Sequence, residues 1–128
     1  MAVAAFLAPV GCSIGADSEP RPVSGVPKEI AATVDRLERA IADRDFAEVC
    51  DKLFTRAARE RAGGSECTKQ VSAAAEDVRR PVIVIRGIEV TGNRAIVKVA
   101  TTAEGQARLI DTLQLHRQGG RWLVEALS

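Results

Sequence analysis

The sequence has few of the side chains on which nucleic-acid binding depends. It contains no tyrosine, one tryptophan and three phenylalanines among 128 residues, so aromatic platforms for base stacking are scarce. The 18 basic residues are dispersed among 17 acidic ones and leave a net charge of only +1. Since nucleic-acid binding needs a basic surface, we expect no nucleic-acid partner.

Metal ligands and nucleophile motifs are equally scarce. The three cysteines, Cys12, Cys50 and Cys67, form no Cys-x-x-Cys pair, and the single histidine, His116, lies far from them along the chain. No serine or cysteine stands with His116 in a nucleophile motif. We therefore expect no metal site and no cofactor, and the sequence identifies no complete catalytic centre.

The N-terminal residues carry the most informative pattern. The apolar run Ala2–Val10 is far shorter than the roughly 20 residues that a membrane-spanning helix needs. Gly11 and Cys12 follow it, and then a polar, proline-containing stretch. This order resembles a bacterial lipoprotein export signal, in which the cysteine becomes the lipidated first residue. The resemblance implies a signal segment at 1–12, a flexible linker at 13–27, lipidation at Cys12, and an extracytoplasmic location with the membrane as partner.

The remaining two cysteines are expected to pair with each other. If Cys12 carries lipid, an exported protein is left with Cys50 and Cys67, and thiols outside the cytoplasm tend to oxidise. Both lie on apolar helical stripes, so an antiparallel pair of helices would bring them together. A disulfide is the interpretation we favour. Two buried free thiols are the alternative.

Hydrophobic periodicity predicts three helices in the first half of the folded region. Steps of four, three and four residues mark the first and third buried stripes, and apolar residues also recur along one side of the second helix. Asp45 is the expected N-cap of the second helix, Gly63 and Gly64 its end, and Ser65 the start of the third. The three stripes comprise Ile30, Val34, Leu37 and Ile41; Phe46, Val49, Cys50, Leu53, Phe54 and Ala57; and Cys67, Val71, Ala74 and Val78.

The second half has the alternation of β-structure. β-Branched residues run from Val82 to Val90, Gly92-Asn93 is a hairpin turn, and a partner strand covers 95–101. A long strand from about Gln106 to Arg117 and a last strand, 121–127, complete a meander. Helices segregated from an antiparallel sheet define an α+β fold. We therefore predict three N-terminal helices packed on a four-stranded sheet, which form one domain at 28–128.

This order of elements resembles the nuclear transport factor 2-like superfamily. The resemblance rests on the N-terminal helices with their cysteine-containing segment, the glycine break, the third helix, and the ending Gly-Arg-Trp-Leu-Val-Glu at 120–125. It is close to small exported lipoproteins of that fold, most of them uncharacterised. It implies a curved, cone-shaped sheet that wraps around the helices and leaves a pocket. Some members of the superfamily are steroid isomerases or polyketide cyclases, whereas others bind ligands or partners, or dimerise.

Asp111 is the one candidate for chemistry in such a pocket. Alternation places it on a strand face with Leu109, Leu113 and Leu115, where an acid could act as a general base. The isomerases pair their base with a tyrosine, and this chain has none. We therefore favour a structural role, in which Asp111 lies near the strand end or pairs with an arginine such as Arg86.

The preferred function is binding without catalysis. The expected ligand is a small apolar molecule or an envelope protein. The alternatives are an isomerase or cyclase using Asp111, and a structural module that forms a homodimer through the outer sheet face. The residues expected to line the pocket are Val97, Val99, Asp111, Leu113 and Trp122.

Overall fold

The computed structural model describes residues 25–128, which form four α-helices and one four-stranded sheet. The predicted signal segment, Cys12 and the linker up to residue 24 lie outside the described residues. Within 25–128, no helix combines the length and apolar character needed to cross a membrane. The elements are α1 (Val26–Ala42), α2 (Phe46–Glu48), a π-helical turn (Val49–Leu53), α3 (Arg56–Arg61), a 3-10 turn (Gly64–Glu66), α4 (Cys67–Ala74), β1 (Val82–Thr91), β2 (Arg94–Thr102), β3 (Leu109–Gln118) and β4 (Arg121–Leu127).

Helix α1 lies across the inner face of the sheet. A proline in its first turn needs no hydrogen-bond partner for its nitrogen, which suits a helix start, so the last two residues of the predicted linker are already helical. The predicted stripe of Ile30, Val34 and Leu37 is buried in the core. The Thr33 hydroxyl donates to the backbone oxygen of Trp122 at 2.9 Å, which ties the helix to β4. Helix α1 is thus held both by apolar packing and by a buried hydrogen bond.

The second predicted helix is not continuous. The Asp45 carboxylate caps α2 as expected, accepting from the Glu48 N–H at 3.1 Å. The chain then makes a π-helical turn, in which the Phe54 N–H donates to the Val49 oxygen, and becomes extended at Phe54. Thr55 restarts the helix as α3. The prediction that Ala57 is buried is therefore wrong: the interruption shifts the helical register, and Ala58 is buried in its place.

Cys50 and Cys67 form the expected disulfide, with an S–S distance of 2.06 Å. It joins the π-helical turn to the first residue of α4, and both cysteines are buried. Helix α4 is shorter than predicted, so Val78 falls beyond its end. The expectation for Ala74 is also wrong. Ala74 is exposed and the next residue, Ala75, is buried.

The sheet is an antiparallel meander in the order β1-β2-β3-β4, which confirms the α+β prediction. Its inner face carries Ala95, Val97 and Val99 of β2 and Leu113 and Leu115 of β3, all buried. The third strand begins at Leu109, later than predicted. The chain turns just before it: Gly105 has a φ of +75°, which suits glycine, and the Gln106 N–H donates to the Ala103 oxygen at 3.0 Å, so residue 106 still belongs to the turn.

Two β-bulges interrupt the ladders of the edge strands. The pairing shifts between Ile85 and Gly87 of β1, and again where β4 pairs with Gln114 and Leu115. Bulges bend a strand and increase its twist, which allows the sheet to curve around the helices. At the β1 edge, the Ile83 N–H donates to the Glu38 carboxylate at 2.7 Å, so α1 satisfies an edge donor that would otherwise be unpaired.

The disulfide should contribute measurably to stability. It closes a loop with a sequence separation of 17, for which the chain-entropy model gives about 3 kcal/mol. We expect Cys67→Ala to lower the free energy of unfolding by that amount, measured by urea denaturation of residues 25–128. A reductant should lower the stability of the wild type similarly and leave the variant unchanged. Two thiols that react in the denatured, unreduced wild type would contradict the bond.

Candidate functional site

The helices and the sheet enclose a cleft with a volume of about 390 Å³. It lies between α1, the interrupted helical segment and α4 on one side, and the ends of β3 and β4 on the other. We refer to it as the apolar cleft. Its lining residues are Leu37, Ile41, Val49, Phe54, Ala58, Arg61, Ala62, Val71, Leu113, Val124, Glu125, Ala126 and Leu127.

The break between Phe54 and Thr55 shapes one wall of the cleft. The Thr55 N–H donates to the backbone oxygen of Val124 at 2.9 Å, and Phe54 forms a parallel bridge with the same residue. The Thr55 hydroxyl accepts from the Ala58 N–H at 3.0 Å and so caps α3. Thr55 itself is fully buried. These contacts hold the start of α3 against β4.

Small side chains leave the space open. Ala58 and Ala62 are four residues apart and line the cleft from the same face of the helical segment. Ala126 lines it from the sheet. Methyl groups at these three positions cannot fill the gap between α3 and β4, whereas larger neighbours such as Phe54 and Leu127 form its apolar walls.

A β-bulge determines the position of Glu125, the acidic residue of the cleft. Leu115 pairs with Val124 and Gln114 pairs with Ala126, so Glu125 is the extra residue between them. A bulge commonly redirects a side chain out of the regular alternation. Glu125 lines the cleft, and its carboxylate lies 3.6 Å from Nη2 of Arg61. Nη2 also donates to the Glu125 backbone oxygen. Among residues 25–128, Arg61 and Glu125 are the only charged residues in the lining.

The predicted pocket residues separate into two groups. Leu113 lines the apolar cleft. Val97, Val99 and Trp122 belong to the hydrophobic core, where they are at most 4% exposed, and they are absent from the lining. The reason is that α1 covers the middle of the inner sheet face, so the sheet contributes to the cleft only Leu113 of β3, which is also a core residue, and the last four residues of β4.

Asp111 does not line the apolar cleft either. It is partly buried on β3, opposite Val99 of β2. Its Oδ2 accepts a hydrogen bond from the Thr101 hydroxyl at 3.1 Å. Arg86, the partner suggested by the sequence, sits at the β1 bulge, whereas Thr101 is on the strand adjacent to Asp111. The geometry around Asp111 is that of a cross-strand polar contact.

Trp122 borders a different, smaller cavity of about 240 Å³ beside α1, together with residues such as Arg36 and Lys52. Its indole Nε1 is buried and makes no hydrogen bond to the residues that the structure describes. Across residues 25–128, no group of three or more His, Cys, Asp or Glu side chains is arranged to hold a metal ion.

Sequence reasoning missed most of the cleft lining. A continuous second helix predicts Ala57, and not Ala58, on the buried face, and regular alternation gives no reason to select Glu125. Thr55 was the one available signal, because threonine is a good N-cap and its position after Phe54 could have indicated a second helix start.

Comparisons with known proteins identify the fold. No protein-family model and no curated protein matches the sequence. A nuclear transport factor 2-like protein of unknown function from Silicibacter pomeroyi has a similar structure, with a TM-score of 0.61 at 19% identity over 78% of this chain and 90% of that one. A second such protein, from Shewanella baltica, gives a TM-score of 0.58 at 14% identity over 78% and 88%.

A de novo designed protein of the same fold gives a TM-score of 0.55 at 18% identity, over 77% of this chain and 83% of the designed one. All three likenesses span the helices and the sheet together. At these identities they establish architecture and leave activity undetermined. The chain has the nuclear transport factor 2-like fold.

Proposed function

We propose that this protein binds a small apolar ligand in the apolar cleft while a lipid on Cys12 holds it at the outer side of a bacterial membrane. The observation that carries the proposal is the cleft itself. Its volume of about 390 Å³ falls in the range of about 300–1,000 Å³ that is typical of small-molecule sites. Its walls are aliphatic and aromatic except for one ion pair, as in sites that bind apolar molecules.

The disulfide supports the extracytoplasmic part of the proposal. Bonds such as Cys50–Cys67 form and persist in oxidising compartments and are rare in the cytosol. The Gly11-Cys12 pair and the polar stretch after it support the lipid anchor.

Binding is preferred over catalysis because the candidate base is away from the cleft. Asp111 is engaged with Thr101 and does not line the cavity. General acid–base catalysis requires the base within hydrogen-bond reach of a bound substrate. The isomerase or cyclase alternative therefore lacks an observation in its favour.

Filling the cleft should abolish binding. In Ala62→Phe, a benzyl side chain would occupy the space beside Phe54, so we expect affinity for the neutral probe N-phenylnaphthylamine to fall at least about tenfold. Fluorescence titration of the probe measures this. Ala57→Phe is the matched control, because Ala57 lies on the same helix but is exposed and outside the lining. Asp111→Asn should bind as the wild type does; equal binding by Ala62→Phe would refute the site.

Anchoring depends on Cys12 alone in this proposal. We expect Cys12→Ser to move the protein from the membrane fraction to the soluble fraction of cells that carry the full chain, since serine cannot take a thioether-linked lipid. Immunoblotting of the two fractions measures the shift. Cys67→Ala is the control and should stay membrane-bound. If the Cys12→Ser protein sediments with membranes as the wild type does, the lipid anchor is wrong.

A homodimer is a second candidate role, supported by apolar side chains on the outer sheet face. Val84 and Ile110 flank Ala100 as cross-strand neighbours there; Val84 is 49% exposed and Ile110 62% exposed, whereas Ala100 between them is buried. Exposed apolar side chains that lie close together often mark protein–protein contacts.

If the outer face mediates a dimer, Ile110→Lys should yield monomers in sedimentation equilibrium while the wild type is dimeric. The control is Leu109→Lys. Leu109 is 58% exposed but belongs to the opposite face of the same strand, so this variant should stay dimeric. A monomeric wild type would eliminate this role.

A further inference from the structure

The polar end of the apolar cleft consists of the Arg61–Glu125 pair. Nη2 of Arg61 donates to the Glu125 backbone oxygen and lies 3.6 Å from Oε1 of its carboxylate. The Arg61 side chain is 56% exposed and that of Glu125 is 24% exposed, so the pair sits at the mouth, with the carboxylate on the more buried side.

Both members are placed by the backbone. Arg61 is the last residue of α3, whose start is set by the buried Thr55 cap, and a cation suits a helix C-terminus. Glu125 is the extra residue of the β4 bulge. The Glu125 backbone oxygen also accepts from Nη2 of Arg61. Arg61 therefore stays bonded to the strand even if the Glu125 side chain rotates.

The contact limits the donors that Arg61 can offer to a carboxylate ligand. A guanidinium binds carboxylates best through two parallel N–H donors, and Nη2, which carries two N–H groups, belongs to both of the pairs that it can present. Here one N–H of Nη2 is donated to the Glu125 backbone oxygen, so one of the two pairs is occupied. Within residues 25–128, Nη1 makes no hydrogen bond, and it can donate to a ligand oxygen.

The charges of the Arg61–Glu125 pair also disfavour a carboxylate ligand. Arg61 and Glu125 neutralise each other, so an entering carboxylate would add an uncompensated negative charge beside Glu125 at an apolar site. The Glu125 carboxylate is the more buried member of the pair, so a second carboxylate beside it would be repelled. A neutral oxygen causes no such repulsion.

We infer that the Arg61–Glu125 pair makes the apolar cleft selective for neutral amphiphiles, with an apolar body in the cleft and one hydroxyl or carbonyl oxygen accepting from Arg61, and that it rejects the corresponding carboxylates. The inference rests on the proposed ligand-binding function and specifies the ligand class. Glu125 is the residue that determines this specificity.

The test compares n-decanol with decanoate, which share the same alkyl chain. The affinity of each compound is measured by its displacement of N-phenylnaphthylamine from the disulfide-bonded protein. The measurement is made at about pH 8, where decanoic acid is ionised. For the wild type we expect n-decanol to bind at least about tenfold more tightly than decanoate, a ratio of the size that a single charge-assisted hydrogen bond gives.

Two variants test which residue of the pair causes the selectivity. Glu125→Gln should tighten decanoate binding about tenfold and change n-decanol binding little, because Arg61 becomes an uncompensated cation. Arg61→Met should weaken n-decanol binding several-fold through loss of its donor. Glu104→Gln is the matched control: it removes the acid of the exposed Arg80–Glu104 pair, away from the cleft, and should leave both affinities unchanged.

The outcomes separate this inference from the function on which it rests. If the probe itself does not bind to the wild type, the ligand-binding function is refuted. If the probe binds and neither compound displaces it, the function stands and the inferred ligand class is wrong. If both bind and decanoate binds as tightly as n-decanol, the cleft binds ligands but the selectivity is wrong. Unchanged decanoate affinity in a folded Glu125→Gln protein would also overturn it. The comparison of n-decanol with decanoate on the wild type tests the selectivity even if a variant does not fold.

Discussion

The hydrogen bond from the Thr55 N–H to the Val124 oxygen joins the helical layer to the last strand, and the geometry of the cleft depends on it. Thr55 is fully buried, so this donor has no access to water and an unpaired N–H there would be costly. The chain satisfies it by leaving the helix at Phe54 and bridging to β4. Thr55 then starts α3 with its hydroxyl, and the new register places Ala58, Arg61 and Ala62 on the cleft.

The elements on either side stabilise this interruption. The π-helical turn before it carries Cys50, whose bond to Cys67 holds the turn against α4. π-Helical turns are rare and occur often at functional sites, which agrees with a cleft lined by Val49 and Phe54 from this same segment. On the sheet side, the β4 bulge brings Glu125 to Arg61. One interruption in a helix and one in a strand therefore meet at the mouth of the same cavity.

These two irregularities explain where the open space of the structure lies. The regular part of the inner face is closed by α1, and its residues, Val97 and Val99 among them, pack as core. Asp111 lies on regular strand and finds its partner across the ladder in Thr101. The space that remains open is bordered by alanines and larger apolar side chains, with charge only at its edge. Such a surface is of the kind that can retain an apolar molecule.

The sequence by itself determined the elements and their order, because hydrophobic periodicity, glycine turns and N-caps act over a few neighbouring residues. Helix α1, the hairpin at Gly92-Asn93 and the meander follow from such local signals, whereas the pairing of Cys50 with Cys67 was expected from the cysteine count and an exported location. The cleft was decided by the tertiary structure alone. Whether Ala57 or Ala58 faces inward depends on one extra residue in a turn, and whether Glu125 reaches Arg61 depends on one extra residue in a strand. Each shift is favoured by contacts with residues distant in sequence, chiefly between Thr55 and Val124, which periodicity cannot register.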